Sequence, residues 1–262
     1  MSEIDVVPAV AGLLSLHGQR VLVTGGSGNI GRGIALRLAE AGADVVVHYH
    51  SDADAAEQTV GAIGGNAISI QADLARSGDV TKMFAKIDET GPPATCIVNN
   101  AGSYPVQAFT EISAEDWQQV MAVNLDSTVH VSQEAIRRMC DQNTGGAIVN
   151  IASIEGTDPA TGHSHYATSK AGLLMLTRSC TLEYGRKGIR VNAVSPGLIA
   201  RPGIGENWPD GVARWQERAP LERMGTPADV ADAVLFLLSP ASRWIRGVNL
   251  VVDGGMSTVS RW

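Results

Sequence analysis

The sequence predicts one α/β domain in which a doubly wound, parallel, seven-stranded sheet carries helices on both faces. Three observations support this prediction. Short β-branched runs alternate along the chain with longer segments of helical spacing. The runs are apolar on both faces, which is typical of strands covered by helices on both sides. No linker or change of composition divides the 262 residues, and strict β–α alternation gives parallel strands.

Each predicted strand is a short apolar run, and the helices between them follow from periodicity. A helical pattern over 30–43 follows the first strand and contains a glycine near its end. The next two helices extend to about Ile63 and from about Asp79 to Glu89. The predicted strands are residues 20–25, 44–49, 67–73, 95–102, 146–153, 189–197 and 248–255.

Two segments lie outside this alternation. Residues 1–17 form an extension before the domain, which is expected to cover 18–262. Their apolar run resembles a signal peptide, but Glu3 and Asp5 stand where such a peptide carries positive charge. Residues 198–225, an irregular stretch with prolines and tryptophans, follow the sixth strand, where an active-site lid is expected.

Composition narrows the possible classes of function. The net charge is −7 and the pI is about 5.3, without blocks of like charge, which argues against nucleic acid as a partner. No apolar run reaches the roughly 18 residues that a membrane span needs. Cys96, Cys140 and Cys180 fit no metal-ligand pattern and are expected to be buried free thiols. We therefore expect a cytoplasmic protein without membrane attachment or a metal site.

The segment TGGSGNIGRG, residues 24–33, joins the first predicted strand to the first predicted helix. Glycines there permit a tight turn and let the backbone approach a pyrophosphate, while the helix N-terminus offers free N–H groups and the positive end of its dipole. A glycine-rich turn without a ligand is the alternative. The position after the first strand of a doubly wound sheet favours a dinucleotide.

With this loop the chain resembles the short-chain dehydrogenase/reductase family, which has a Rossmann-type fold. The family fingerprint Thr-Gly-x-x-x-Gly-x-Gly is matched by Thr24, Gly25 and Gly31. Asn29 replaces the middle glycine, and because asparagine tolerates positive φ, the turn is expected to persist. The resemblance spans about residues 18–256 and is strongest towards 3-oxoacyl-carrier-protein reductases and related ketoreductases.

The resemblance also implies where a dinucleotide binds. The expected site combines the glycine loop, the ends of the second and third strands, the NNAG segment, the Tyr/Lys pair and the residues around the Pro-Gly after the sixth strand. Its members are Thr24, Gly25, Ser27, Asn29, Ile30, Gly31, Tyr49, His50, Ser51, Asp73, Leu74, Asn100, Ala101, Gly102, Tyr166, Lys170, Pro196, Gly197 and Ile199.

The end of the second strand predicts NADP(H) as cofactor rather than NAD(H). A carboxylate at this point would accept hydrogen bonds from the ribose 2′-hydroxyl of NAD and repel a 2′-phosphate. Tyr49 occupies the position instead, and His50 and Ser51 can donate hydrogen bonds to a phosphate. Asp52 is interpreted as an acid at the start of the next helix, where it favours the dipole. NAD(H) remains the alternative.

Tyr166 and Lys170 lie four residues apart in a predicted helix and therefore share one face. An ammonium close to a phenol favours the phenolate, so we expect the pKa of Tyr166 to fall from about 10 towards the working range. Such a tyrosine can act as general acid or base at a carbonyl or carbinol oxygen. The alternative is a pair of solvated polar residues on an ordinary helix.

The family resemblance implies a role for each member of a catalytic set. Tyr166 would exchange a proton with the substrate oxygen, and Lys170 would lower the pKa of the tyrosine and hold the nicotinamide ribose. Ser153, at the end of the fifth strand, would hydrogen-bond the same substrate oxygen. Asn124 would position a water in a proton relay. The predicted activity is NAD(P)(H)-dependent interconversion of a ketone and a secondary alcohol.

The substrate is less well defined by the sequence. An acidic carrier protein needs a basic surface, so this acidic chain favours a free small ketone, alcohol or sugar over a carrier-bound acyl chain. The two tryptophans of the expected lid either line the pocket or anchor the lid to the core. Candidate pocket residues are Tyr104, His163, Leu198, Trp208 and Trp215.

Several alternatives remain open. Arg201 stands where the family usually has threonine, and it either binds an anionic substrate group or is a solvated loop residue. An epimerase or dehydratase would need a substrate domain for which few residues remain after Gly197. A dinucleotide sensor without catalysis is a further alternative, whereas a Ser–His hydrolase is disfavoured because no G-x-S-x-G motif occurs. Family members are commonly tetramers, so we expect a homotetramer.

Overall fold

In the computed structural model, which describes residues 8–259, the strands form one parallel sheet in the order β3–β2–β1–β4–β5–β6–β7. Every neighbouring pair is parallel, which confirms the predicted doubly wound fold. The strands are shorter than predicted at most ends. They are β1 Arg20–Val23, β2 Asp44–Tyr49, β3 Ile68–Gln71, β4 Cys96–Asn99, β5 Gly146–Ile151, β6 Ile189–Pro196 and β7 Asn249–Val252.

The helices lie between the strands, as the alternation predicts. A π-helical turn, Ala122–Asp126, joins α4 to α5 without a break. The side chains of Asp52, Ser113 and Thr226 cap the starts of α2, α4 and α9. The helices are α1 Asn29–Glu40, α2 Ala53–Ile63, α3 Ser77–Glu89, α4 Ala114–Met121, α5 Ser127–Gln142, α6 Ser164–Tyr184, α7 Ile204–Asn207, α8 Pro209–Arg218 and α9 Pro227–Leu238.

The strand residues alternate between two hydrophobic cores, one on each face of the sheet. Val21 and Val23 of β1 point into the core that includes residues of α1 and α9. Leu22 points into the other core, with residues of α3 and α5. Because successive strand side chains face opposite ways, a strand that is apolar throughout serves both cores. This arrangement confirms the predicted helices on both faces.

The first core extends to the segment before β1. Leu16 is buried in it, and the Leu16 amide donates to the carbonyl oxygen of Ala41. α1 and α9 approach closely, because a Cβ at Gly33 would lie 2.5 Å from the Cβ of Pro227. The described end of the predicted extension is therefore packed onto the domain.

Residues 198–225 contain two helices, so the prediction of an irregular stretch is wrong. Pro209 begins α8, and proline at the first helical position leaves the helix intact because its missing N–H would have no partner there. The segment also begins and ends at one point: Ala200 donates to the carbonyl of Gly225, and the Gly225 amide donates to the carbonyl of Leu198. The intervening residues thus form a long loop whose two ends are hydrogen-bonded to each other beside the carboxyl end of β6.

The cysteines are free, but only one of them is fully buried. Cys96 lies in β4 inside the core, whereas Cys140 and Cys180 are partly exposed at the ends of α5 and α6. The prediction of three buried thiols is therefore wrong for two of them, because both lie where helices leave the core. Within residues 8–259, no helix has the length and apolar character needed to cross a membrane.

Candidate functional site

The glycine loop between β1 and α1 has the geometry of an anion cradle. Gly25 adopts a positive φ of 59°, and a Cβ on Gly31 would lie 2.1 Å from the carbonyl oxygen of Gly25. The N-cap residue of α1 is Gly28, which offers no side-chain acceptor. The first three N–H groups of the helix therefore have no capping side chain, in contrast to α2, α4 and α9. These residues fit the pyrophosphate of a dinucleotide.

Asn29 is accommodated in a different way from the one predicted. It begins α1 and is not among the residues with positive φ, since the sharp turn is made by Gly25. Its side-chain amide donates a 2.8 Å hydrogen bond to the carbonyl oxygen of Ala200. Asn29 thus joins the glycine loop to the start of the 198–225 segment.

Thr24 and Asn100 hold the ends of β1 and β4 together. The Thr24 hydroxyl accepts hydrogen bonds from the amides of Asn100 and Ala101 at 2.9 and 3.0 Å. The Asn100 side chain donates to the carbonyl oxygens of Thr24 and Gly25 at 2.9 and 3.1 Å. Both side chains are therefore occupied in fixing the shape of the cleft between the two strands.

His48 was not predicted as a site residue, yet it holds the glycine loop in place through a hydrogen bond to Gly25. Its Nδ1 accepts a hydrogen bond from the Gly25 amide at 3.1 Å, and its Nε2 lies 3.1 Å from the carbonyl oxygen of Ala72. The ring is neutral with its proton on Nε2, because Nδ1 acts as acceptor. Burial lowers the pKa of His48 to about 4. A histidine inside the apolar run DVVVHY is the sequence signal that could have identified it.

The ends of β2 and β3 border a cavity of about 300 Å³. Tyr49 is partly buried, whereas His50 and Ser51 are exposed. The carboxylate of Asp52 accepts a hydrogen bond from the Ala55 amide at 3.0 Å, which confirms its predicted place at a helix start. The cavity is lined by His50, Gln71, Ala72, Asp73, Asp79, Lys82, Met83 and Lys86.

Two predicted cofactor residues after β3 have partners within the protein. The carboxylate of Asp73 accepts a hydrogen bond from Ala75 and forms an ion pair with Arg76 at 3.1 Å. Leu74 is buried in the second core, so its side chain faces away from the cavity. Of the two, only Asp73 borders the cavity.

Ser153, Tyr166 and Lys170 meet beside the carboxyl end of β5. The Ser153 side chain lies close enough to the Tyr166 phenol to lower its pKa, and the phenol remains partly accessible to solvent. The Lys170 ammonium is 5.6 Å from the centre of the Tyr166 ring. It also donates a 2.8 Å hydrogen bond to the carbonyl oxygen of Ile151, and it is almost fully buried. The structure thus brings the three predicted residues together.

The pKa of Tyr166 does not follow the prediction. Burial raises it to about 12, the Ser153 hydrogen bond acts in the opposite direction, and the charge of Glu155 adds to the rise. Burial also lowers the pKa of Lys170 to about 8. The predicted fall fails because desolvation of the phenol and the nearby carboxylate outweigh the stabilising contacts of the phenolate.

Asn124 lies in the π-helical turn and is fully buried. Its side chain accepts a hydrogen bond from the Ser103 amide and donates one to the Ser103 carbonyl, both at 2.8 Å. A Cβ on Gly102 would lie 2.7 Å from Asn124 Oδ1 and 3.7 Å from Lys170 Nζ. Asn124 and Lys170 therefore border the same glycine, at the end of the NNAG segment.

A buried polar network supports these residues from behind. Asn99 donates to Ser132 at 3.0 Å and to Asn150 at 2.8 Å, and Asn150 donates to Thr177 at 2.9 Å. The network connects β4, β5, α5 and α6. Of the predicted catalytic residues, Ser153 follows β5, Asn124 precedes α5, and Tyr166 and Lys170 lie in α6. The members of the network are distant along the chain and belong to no local motif, so the sequence alone does not predict it.

Predicted pocket residues contact Tyr166 from two sides. On one side, the Tyr104 ring contacts the Tyr166 ring edge-on at 6.3 Å, and the Arg201 guanidinium lies over Tyr104 at 5.8 Å. On the other side, the His163 ring contacts Tyr166 at 5.7 Å. His163 also pairs with Glu155, a residue that no local sequence motif marks as part of the site.

The tryptophans of the 198–225 segment pack against the backbone. A Cβ on Gly197 would lie 2.6 Å from the Trp215 ring, and Trp215 Nε1 donates to the carbonyl oxygen of Arg223. Trp208 lies similarly close to Gly211 within the segment itself. These contacts favour an anchoring role for Trp215, whereas Trp208 is half exposed and packs within the segment. The remaining predicted residues of this region, Pro196 and Ile199, end β6 and pair with Gly225.

Comparison with known proteins identifies the family. The chain matches the family model described as enoyl-(acyl carrier protein) reductase over residues 25–257. It is 35% identical to glucose 1-dehydrogenase 2 of Bacillus subtilis, over 92% of this chain and 96% of that protein. It is 36% identical to the 3-oxoacyl-[acyl-carrier-protein] reductase of Aquifex aeolicus, over 93% of this chain and 99% of that protein.

A solved structure gives the same result. The crystal structure of a proposed 2-deoxy-D-gluconate 3-dehydrogenase from Agrobacterium tumefaciens, with bound NADP, matches with a TM-score of 0.86 and 32% identity, over 94% of this chain and 99% of that one. The chain therefore belongs to the short-chain dehydrogenase/reductase family of oxidoreductases. The predicted family resemblance is confirmed, and a 3-oxoacyl-carrier-protein reductase is among its relatives.

Proposed function

We propose that the protein interconverts a ketone and a secondary alcohol by hydride transfer with NADP(H), and that Tyr166 is the general acid and base. The observation that carries this proposal is the convergence of Ser153, Tyr166 and Lys170 on one point beside the glycine cradle. A bound nicotinamide would supply or accept the hydride. The chain's own residues would handle the proton and orient the substrate.

Each side chain has a role that its contacts permit. The Tyr166 hydroxyl donates a proton to the substrate oxygen during reduction and accepts it during oxidation. Ser153 hydrogen-bonds the same oxygen and steadies the charge that develops there. One N–H of the Lys170 ammonium is used by Ile151, which leaves two for ribose hydroxyls. Asn124 fixes the 102–103 turn and takes part in the proton relay.

The elevated pKa of Tyr166 sets the pH dependence that is expected for each direction of the reaction. With a pKa of about 12, the phenol is protonated at neutral pH and is ready to donate a proton to a ketone. Oxidation needs the phenolate, so its rate is expected to rise with pH through the alkaline range, whereas reduction is expected to proceed at neutral pH. Rate–pH profiles of both directions measure this difference.

The test of the proposal is a tyrosine variant. Tyr166→Phe is expected to lower kcat/KM by about 10²- to 10⁴-fold, the usual contribution of a general acid. Tyr184→Phe, a change of the same size at the other end of α6, is the matched control and should keep its activity. A Tyr166→Phe variant as active as the parent would contradict the proposal and would favour a dinucleotide sensor.

NADP(H) is proposed over NAD(H) because no free carboxylate stands at the end of β2. Asp52 is engaged as a helix cap, and His50 is exposed at a cavity that also borders two lysines. The two carboxylates at this cavity, Asp73 and Asp79, are paired with Arg76 and Lys82. The family relative with bound NADP supports the same choice. The Kd of both reduced cofactors decides it, and Tyr49→Asp is expected to move the preference towards NADH. A parent that prefers NADH would overturn the proposal.

A second candidate activity is the reduction of carrier-bound 3-oxoacyl chains, the reaction for which the Aquifex relative is named. The net charge of −7 disfavours docking of an acidic carrier, so we propose a free small ketone, alcohol or sugar, with the 198–225 segment as lid. Comparing an acyl-carrier thioester with the same acyl group on pantetheine distinguishes the two. A large preference for the carrier-bound form would favour the second candidate.

We also propose a homotetramer in the cytoplasm. Leu182 and Trp244 are 86% and 93% exposed, and Val251 is 43% exposed on the edge strand β7. Exposed large apolar residues next to an open sheet edge are typical of subunit interfaces. Light scattering should give four times the mass of the chain, and Trp244→Asp should lower it. A parent of monomeric mass would contradict the proposal.

A further inference from the structure

Glu155 and His163 form a pair of polar side chains that the proposed proton transfer does not use. The Glu155 carboxylate oxygens lie 2.8 and 3.1 Å from His163 Nδ1. Both side chains are mostly buried, with 19% and 18% of their surface exposed. A pair held in this way on the surface of a cleft keeps a fixed geometry for a ligand.

The pair lies next to the place where the proton is transferred. The Ser153 hydroxyl accepts a hydrogen bond from the Glu155 amide at 3.1 Å, so Glu155 is fixed by a catalytic residue. The His163 ring is 5.7 Å from the ring of Tyr166. The charge of Glu155 reaches the Tyr166 phenol. A group bound by this pair would therefore be close to the reacting carbon–oxygen bond.

The free hydrogen-bonding capacity of the pair matches a hydroxyl group. With Nδ1 bonded to Glu155, Nε2 of His163 has no partner among the residues that the structure describes. The Glu155 carboxylate has four acceptor sites, and the contacts of its two oxygens with His163 leave others open. A hydroxyl both donates and accepts, whereas an alkyl chain would leave these polar groups desolvated without partners.

We propose that Glu155 and His163 form a subsite for a second hydroxyl group of the substrate, beside the one that reacts. This inference rests on the proposed function and specifies its substrate as a polyhydroxy compound, such as a sugar or a polyol. A simple ketone or an acyl chain cannot satisfy the pair.

Matched substrate pairs test the subsite. The oxidation of trans-1,2-cyclohexanediol is compared with that of cyclohexanol, 2,3-butanediol with 2-butanol, and D-glucose with 2-deoxy-D-glucose. The parent is expected to favour the member with the adjacent hydroxyl by about 10- to 100-fold in kcat/KM, mainly through KM, as for a hydrogen bond to a charged group. Glu155→Gln and His163→Phe are each expected to reduce this ratio to about threefold or less.

The ratio within a pair isolates the subsite from other effects of the variants. If Glu155→Gln changes the acidity of Tyr166, kcat/KM changes by the same factor for both substrates of a pair. The ratio between them is therefore unaffected. Glu217→Gln, an exposed acid on α8, is the matched control and should keep the parent ratio. If His163→Phe melts below the assay temperature, His163→Gln replaces it and should lower the ratio in the same direction.

The outcomes separate this inference from the proposed function. Turnover without a preference for the hydroxylated members, or equal loss on both members in the variants, overturns the subsite and leaves the oxidoreductase intact. No turnover of any pair with either cofactor overturns the proposed function, and the subsite with it. A preference that the variants abolish supports both.

Discussion

His48 shows how a single buried residue can make stability depend on pH. Its pKa is about 4 in the folded protein, below the ordinary value of about 6.5. The unfolded chain binds the proton more readily than the folded protein does. The stability that depends on the neutral His48 ring is therefore complete above pH ~6.5 and is lost as the pH falls to about 4. The total amounts to about 3 kcal/mol.

Urea unfolding at pH 7 and at pH 4.5 measures this effect. The parent should lose more stability between these values than a His48→Asn variant, which lacks the titrating ring. Equal losses in both proteins would show that His48 does not cause the dependence.

Arg201 is the second residue with a testable role. Its guanidinium lies over Tyr104, and no carboxylate partner is found for it within residues 8–259. If it binds an anionic substrate group, Arg201→Ala should raise KM for a keto acid about tenfold or more, with a much smaller effect on a neutral ketone. Arg243→Ala, an exposed arginine distant in the chain, is the control. If Arg201→Ala leaves KM unchanged for both the keto acid and the neutral ketone, anion binding by Arg201 is excluded.

At the scale of elements, Asn29 joins the glycine loop to the 198–225 segment. Asn29→Gly restores the family fingerprint but removes the hydrogen bond to Ala200. We expect amide hydrogen exchange in residues 198–225 to become about fivefold faster, which corresponds to the loss of one ordinary hydrogen bond. Unchanged exchange in this segment would mean that the bridge to Gly225 alone holds it.

The elements and the site were predictable to different degrees. Periodicity located the seven strands, and the glycine loop and the Tyr166–Lys170 pair followed because each is a local pattern. The helices α7 and α8 were missed because their composition resembles a loop. Glu155 could not be predicted, because its partner His163 approaches only when the 154–163 loop folds back on α6.

The acidity of Tyr166 illustrates the same limit. A lysine four residues away predicts a lowered pKa, but the sequence does not contain the degree of burial or the position of Glu155, which together raise it. Contacts between distant residues decide such quantities.

For the whole molecule, Arg190 connects the sheet to the end of α9. It extends from β6 and donates to the carbonyl oxygens of Leu237 and Leu238 at 2.6 and 2.8 Å, and to the Ser242 hydroxyl at 2.7 Å. Arg190→Met should lower the free energy of unfolding by about 2–4 kcal/mol, because buried helix carbonyls would lose a charged donor. Chemical denaturation measures this loss. Arg186→Met, at an exposed site, is the control, and an equal loss in both variants would contradict this account.

The π-helical turn at Ala122–Asp126 has a consequence for how the molecule can vary. A π turn holds one residue more than an α turn, so it takes up an additional residue without rotating the helices on either side of it. These five residues therefore set the direction of the Asn124 amide, while α5 keeps its apolar side in the core. Deleting one residue would close the turn into an ordinary α turn, so the site would be lost while the fold remained.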